Sequence, residues 1–308
     1  MSDAIQIYLK NCKTFRASLA FDASLKSKTS FQCQSSAAAI FAPKNLEALE
    51  HFLKNLSAEG YALGKDVQVI GKGSNTLFED VGFAGCLIDL SALDKIETIE
   101  KNHHWNLRAQ AGLGMGSLLQ RLRKASYTGF EFSFGIPGSV GGGIRMNAGT
   151  PEGWFGDVLE SVEGFDCHGT YFKKTVTPQD FLYRDFPFGH GKILTAGTFR
   201  FQKSSQKIIE EKIKIAKIKR AEQPLHLPNF GSVFKNPKPH YAGALIEAVG
   251  LKGHGIGSAR ISGKHANFIV NDGYAKTDDV KALIALAQKK VWEHHNIQLK
   301  TEVHILGG

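Results

Sequence analysis

With 308 residues, 42% hydrophobic and 22% charged, the chain has the composition of a soluble globular protein and length for two or three cores. No apolar run approaches the roughly 18 residues that span a bilayer, and the start, MSDAIQIYLKNCKTFRAS, lacks the apolar core and cleavage site of a secretory signal, so a cytoplasmic protein is expected. The net charge of +9 is spread along the chain and fits an anionic small molecule, while neither the four cysteines (12, 33, 86, 167) nor the histidines show zinc or C-x-x-C spacing, so no metal is expected.

Residues 36–42 read as a strand, and Asn45 as the cap of a helix through NLEALEHFLKNL, with Leu49, Phe52 and Leu53 at i, i+3 and i+4. VQVI (67–70) is a strand that runs into GKGSNT, and CLIDL (86–90) is the next strand. LDKIETIEK and WNLRAQAG alternate as strands do, MGSLLQRLRKAS (115–126) is a helix, and 133–149 is glycine-rich. SVEGFD and GTYFKK flank a Cys-His turn as a hairpin, and ILTAGTFRF (193–201) is a further strand. The basic run 203–220 has Ile209, Ile213 and Ala216 at helical spacing, with Glu210 and Glu211 among the lysines. It is the solvated face of an amphipathic helix, not a nucleic-acid arm. Beyond it come GSVFKNP, a helix at YAGALIEAVG, strands at GSARIS and ANFIVN, a long helix from Asp278 and a last strand, TEVHIL. The adjacent pairs His103–His104 and His294–His295 point in different directions on any regular element.

Two glycine stretches carry the chemistry. GKGSNT follows a strand, but its sixth residue is Thr76 where a Rossmann turn needs glycine, and a strand, not a helix, comes next. The phosphate would then be held by backbone N–H groups of Gly71, Lys72 and Gly73 and by Ser74, Asn75 and Thr76. The alternative is a plain tight turn. GIPGSVGGGIRMNAG, with Pro137, Gly138, Ser139, Gly142 and Gly143, has more glycine than a turn needs and reads as a second binding loop, the alternative being a linker.

These segments resemble the flavin-binding segments of the UDP-N-acetylenolpyruvoylglucosamine reductase (MurB) family. The resemblance continues with Tyr183-Arg184, Gly231-Ser232-Val233-Phe234-Lys235-Asn236-Pro237, Lys264-His265-Ala266-Asn267-Phe268-Ile269 and Leu299-x-x-Glu302-Val303, over roughly residues 35–308. It implies an α+β fold: a two-subdomain FAD-binding fold of the MurB and vanillyl-alcohol-oxidase type (1–94 and 95–204) and a C-terminal α+β substrate domain (205–308), whose last strand could pack back on the first subdomain. It also implies an NADPH-dependent, FAD-mediated reduction of the enolpyruvyl UDP-sugar to UDP-N-acetylmuramate for peptidoglycan. FAD would be non-covalent; a monomer is expected, and the charge pattern and the lack of a long apolar run give nucleic acid and membrane no part. By the same resemblance Ser232 is the proton donor, Arg184 and Glu302 polarise the substrate carboxylate, and Tyr183, Lys235, Asn236 and His265 bind substrate.

Read alone, Arg184 beside Asp185 is a surface ion pair, Ser232 a turn serine and Glu302 an exposed strand residue. Phe186 stands where the family carries serine, segment 29–35 departs from the family's T-F-x-I-G-G, and the short run from Arg184 to the next strand matches a branch without a tyrosine-bearing loop. A flavin-linked oxidase of the same fold and a non-catalytic flavin-binding protein are the competing readings.

Overall fold

The computed structural model describes residues 2–101 and 104–307, so His103 of the first histidine pair lies outside them. The chain divides into two compact units. Unit 1 comprises Met1–Phe21, Ala39–Lys72 and Gly85–Lys219; unit 2 comprises Asp22–Ala38, Gly73–Ala84 and Arg220–Gly308.

The chain opens with α1 (Ser2–Asn11), β1 (Leu19–Ser24), β2 (Ser36–Phe41), α2 (Leu46–Ala58) and β3 (Val67–Ile70). Asn45 caps α2, its side chain accepting from the Ala48 N–H at 2.8 Å, and the helix buries Leu49, Phe52, Leu53 and Leu56. Full burial of such a side chain stabilises by roughly 1.5–3 kcal/mol. The turn after β3 leads to β4 (Thr76–Phe78), where the sequence suggested only a turn, and then to β5 (Phe83–Asp89). β5 lies parallel to β3, with Val67 opposite Cys86. A parallel neighbour usually needs a helical crossover. Here β4 provides the excursion and no helix follows the glycines. The sheet order is β1-β2-β5-β3.

Unit 1 continues with β6 (Ile96–Lys101), β7 (His104–Gln110), α3 (Met115–Lys124), β8 (Tyr127–Thr128), α4 (Val140–Arg145), β9 (Gly149–Thr150), β10 (Gly153–Trp154), α5 (Phe155–Val158), β11 (Leu159–Asp166), β12 (Tyr171–Thr175), β13 (Lys192–Lys203) and α6 (Gln206–Arg220). β12-β11-β13-β7-β6 form an antiparallel sheet, with β8 on β13. Its core joins Leu118, Leu119 and Leu122 of α3 to Phe130, Phe155, Phe199 and Phe201. The glycine-rich stretch was expected as a loop, yet its centre is helical. Glycine costs about 1 kcal/mol per helical residue, and close packing explains its presence: a Cβ on Gly141 would sit 2.8 Å from the Ala111 Cβ, and one on Gly143 would enter the Phe155 ring.

Unit 2 contains β4 together with β14 (Asn229–Ser232), α7 (Ala242–Ala248), β15 (Gly255–Ile256), β16 (Ala259–Ile261), β17 (Phe268–Asn271), α8 (Thr277–His295) and β18 (His304–Leu306). The sheet runs β14-β17-β16-β15, and β18 pairs in parallel with β4, His304 opposite Thr76. α8 buries Val280, Leu283, Ile284, Ala287 and Val291, the periodicity legible in the sequence. Its first turn is held by Thr277, whose hydroxyl donates to the Phe78 carbonyl at 2.6 Å and whose N–H donates to Asp80 at 2.9 Å. Among the described residues no helix is long and apolar enough to cross a membrane, and no three His, Cys, Asp or Glu side chains gather to hold a metal.

Candidate active site

In unit 2 three of the sequence motifs converge. Gly73 has φ +55°, and a side chain there would run into the Lys28 carbonyl. Its own carbonyl accepts from the Ser30 N–H at 3.1 Å, so the atypical 29–35 segment folds against this turn. Asn75 ties the turn to the chain's end. Its Nδ2 donates to the Glu302 carbonyl at 3.0 Å, and its carbonyl accepts from the His304 N–H at 3.1 Å. The Glu302 N–H donates to the Val233 carbonyl at 2.8 Å, one residue from Ser232. A Cβ on Gly231 would have the Ser74 carbonyl oxygen 3.8 Å away. Ser74, Asn75, Ser232 and Glu302 thus share one half-buried neighbourhood. One amide proton of Asn75 is committed to protein there.

The other unit 2 candidates lie around this group. The Lys235 N–H donates to the Lys300 carbonyl at 2.9 Å, and Asn236 accepts from the Ala242 N–H at 3.0 Å, fixing the start of α7. His265 accepts at Nδ1 from the Asn267 N–H at 3.2 Å, with its ring edge-on to Phe268. Burial holds the imidazole below its ordinary pKa, which matches an accepting, neutral ring.

In unit 1 the Tyr183-Arg184 pair sits at the corner of a tight turn. Leu182 and Asp185 exchange backbone hydrogen bonds of 3.0 and 3.2 Å, and Arg184 takes φ +56°. A non-glycine residue in that region is uncommon and tends to mark a functional position. The turn is tied to the glycine-rich stretch three times. Asn147 Nδ2 donates to the Leu182 carbonyl at 3.1 Å, Arg184 Nη2 to the Gly149 carbonyl at 3.0 Å, and Arg145 Nη1 to Asp185 Oδ1 at 2.6 Å. The Arg184 guanidinium lies 5.2 Å from the Trp154 ring centre and 5.4 Å from that of Tyr183, within cation–π range.

The Asp185 carboxylate goes to Arg145 and also to His190 Nε2, at 2.8 Å. Burial alone would raise its pKa; His190 and Arg145 outweigh that and hold it below the usual carboxylate range. Phe186 is fully buried and stacked on Phe181 at 4.4 Å, so an aromatic stack occupies this position.

A cavity of about 390 Å³ opens in unit 1, lined by Gly71, Ser139, Gly142, Arg145, His190 and Leu194 among others. A Cβ on Gly71 would stand 2.5 Å from Ser139 Oγ, so the end of β3 and the start of α4 meet there. Gly138 accepts from the Met115 N–H at 3.2 Å beside an exposed Pro137, and the Lys72 ammonium lies over Gly114.

Relatives of known activity separate the competing readings. The UDP-N-acetylenolpyruvoylglucosamine reductase of Caldicellulosiruptor saccharolyticus is 36% identical over 290 residues, 93% of this chain and 91% of its own. This chain belongs to the UDP-N-acetylenolpyruvoylglucosamine reductase family. The Latilactobacillus sakei member is 39% identical over 243 residues, 78% of this chain and 79% of its own. Residues 37–174 match an FAD binding domain, and residues 223–306 match the C-terminal domain of UDP-N-acetylenolpyruvoylglucosamine reductase. The crystal structure of the MurB reductase from Thermus caldophilus has the same fold, with TM-score 0.77 at 29% identity, covering 94% of this chain and 98% of that one.

The unit 1 cavity fits the cofactor of a reductase of this family. Its apolar wall of Leu90, Ile193 and Leu194 suits a planar ring, its glycine backbone permits close approach, and Arg145 and His190 suit a phosphate. Sequence reasoning gave no role to Arg145, His190 or Trp154, quoted Asn147 only within the glycine-rich motif, and read Asp185 only as a partner of Arg184. Arg145, Asn147 and Asp185 stand within or next to the quoted motifs, but no spacing links residue 145 to residue 185; only the fold does.

Proposed function

We propose that this chain reduces UDP-N-acetylenolpyruvoylglucosamine to UDP-N-acetylmuramate at the expense of NADPH, as a cytoplasmic monomer without nucleic-acid partners. FAD, when bound, would supply the hydride chemistry for the enolpyruvyl double bond, with NADPH as the source of the electrons. The division into two FAD-binding subdomains and a substrate domain belongs to the same proposal.

The chain's own residues handle binding and the proton. Gly71, Gly142 and Ser139 hold the cofactor by backbone approach, with Ser74 and Thr76 as further donors. Hydride addition beside a carboxylate builds enolate-like charge, whose stabilisation is usually the largest catalytic term. Arg184 meets that carboxylate with a guanidinium that stays charged and presents paired donors. Glu302 helps only in its protonated form, as a hydrogen-bond donor. Ser232 gives its hydroxyl proton to the carbon next to the site of hydride addition. Tyr183, Lys235, Asn236 and His265 orient the UDP-sugar.

The observation that supports this reading most is the convergence of Ser232, Glu302 and the Ser74-Asn75 turn through the bonds Asn75–Glu302 and Glu302–Val233. The purified protein should be yellow. Without oxygen, NADPH should bleach the flavin and the enolpyruvyl UDP-sugar should restore its colour. Recovery with oxygen alone would favour a flavin-linked oxidase.

A further inference from the structure

Asp185 is the centre of a polar cluster to which the reductase reading gives no role. One oxygen, Oδ1, receives Arg145 Nη1 at 2.6 Å and His190 Nε2 at 2.8 Å, and both of these residues line the 390 Å³ cavity. Asp185 and His190 flank the short 3-10 turn Pro187–Gly189, and Arg145 reaches them from the end of α4, forty residues earlier in the chain. Gly189 lies over the arginine stem, where a Cβ would be 3.3 Å from Arg145 Cδ. The cavity is also lined by the apolar Leu90, Ala111, Ile193 and Leu194 and by Gly71, Ser139 and Gly142, with Gln68 and Lys192 among its polar residues. A partly apolar slot with glycine backbone and an arginine and a histidine held in place has the chemistry of a site for a planar base attached to phosphate.

We propose that Asp185 is a positioning residue for the cofactor, holding Arg145 and His190 against the adenosine diphosphate end of FAD. This rests on the reading of the chain as an FAD-dependent reductase. A free arginine and histidine each sample several rotamers; the shared carboxylate fixes both, so their ordering precedes binding and does not oppose it. Asp185 itself need not touch the cofactor.

The test follows FAD release from the full-length holoenzyme on dilution, by the rise of free-flavin fluorescence. Asp185→Asn should raise the FAD dissociation constant roughly ten- to hundredfold, the scale of one or two charge-assisted hydrogen bonds. Asp185→Glu should recover part of that loss. At saturating FAD, the visible absorption and circular dichroism of the bound flavin in Asp185→Asn should match the wild type, because the isoalloxazine end is untouched. His190→Gln, at a side chain more than half exposed and so tolerant of change, should weaken FAD severalfold and stands in if Asp185→Asn does not fold. Unchanged FAD affinity in these variants overturns the inference while leaving the reductase reading intact, and so does an altered flavin spectrum, which would move the effect to the other end of the cofactor. A wild-type chain that retains no FAD overturns both.

Discussion

The side-chain amide of Asn267 closes both main-chain hydrogen bonds of Phe234: its Nδ2 donates to the Phe234 carbonyl at 2.9 Å, and its Oδ1 accepts from the Phe234 N–H at 2.9 Å. The Asn267 carbonyl accepts from the Val233 N–H as well, also at 2.9 Å. The K-H-A-N-F segment thereby serves as the mould for the G-S-V-F segment, and through it sets where Ser232 stands. Phe234 is buried, so water cannot replace these partners.

Asn267→Leu therefore strands two buried backbone groups. At about 1–3 kcal/mol for each unsatisfied group, a loss of roughly 2–6 kcal/mol in urea unfolding is expected. Asn267→Asp keeps the acceptor but not the donor and should fall between. A leucine variant as stable as wild type would mean that the clasp is redundant.

Ser232→Ala separates the half-reactions. The hydroxyl is proposed to act only after hydride has reached the substrate, so bleaching of the flavin by NADPH should proceed at nearly the wild-type rate. Recovery of colour with the enolpyruvyl sugar should slow by roughly 10²–10⁴-fold, the usual range for a general acid. Stopped-flow absorbance at the flavin band reads both rates, and equal slowing of the two would argue against a proton donor.

Much of the fold was legible because the chain obeys local rules. The cap at Asn45, the leucines of α3, the alternation in β6 and β7 and the long periodicity of α8 each specify an element without reference to the rest. α4 was not legible, because three consecutive glycines argue against a helix in propensity. What favours it is the tertiary demand of Ala111 and the Phe155 ring for backbone at close range. β4 was missed since a three-residue strand has no periodicity, and its partner, β18, lies more than two hundred residues away. The motifs located Ser232, Arg184 and Glu302 as candidates. Asp185 was read through its neighbour in sequence, Arg184, whereas its carboxylate meets Arg145, forty residues away.

Phe186→Ser, which installs the serine that the sequence resemblance led one to expect, should destabilise this chain. Phe186 is fully buried, stacks on Phe181 at 4.4 Å and touches Phe188 at 5.9 Å between ring centres. Removing a buried phenylalanine typically costs about 3–5 kcal/mol, and a hydroxyl left in the hole adds a desolvated donor. A melting temperature several degrees lower, recovered by Phe186→Leu in part, is the expected result; an unchanged one would show that the surrounding rings collapse into the space.

The last prediction concerns acid. Glu163 has a side chain only 5% exposed; it accepts from Arg108 Nε and Nη2 at 2.9 and 2.8 Å and lies 3.1 Å from the Lys173 ammonium. Burial would raise its pKa, but Arg108 and Lys173 outweigh burial and place it below the ordinary carboxylate value. A carboxylate depressed in the folded state binds fewer protons there than in the unfolded chain. Its contribution is thus complete above the unfolded pKa of about 4.3 and declines as pH falls through the folded value. Glu163→Gln leaves the largely buried Arg108, among the described residues, with the more exposed Glu97 at 3.4 Å as its remaining carboxylate, and should cost about 3 kcal/mol at neutral pH. Because the glutamine has no proton to take up, the gap between wild type and variant should narrow as urea unfolding is repeated from pH 7 down to pH 3. A gap that stays constant over that range would assign the loss to packing and hydrogen-bond geometry, not to the charge of Glu163.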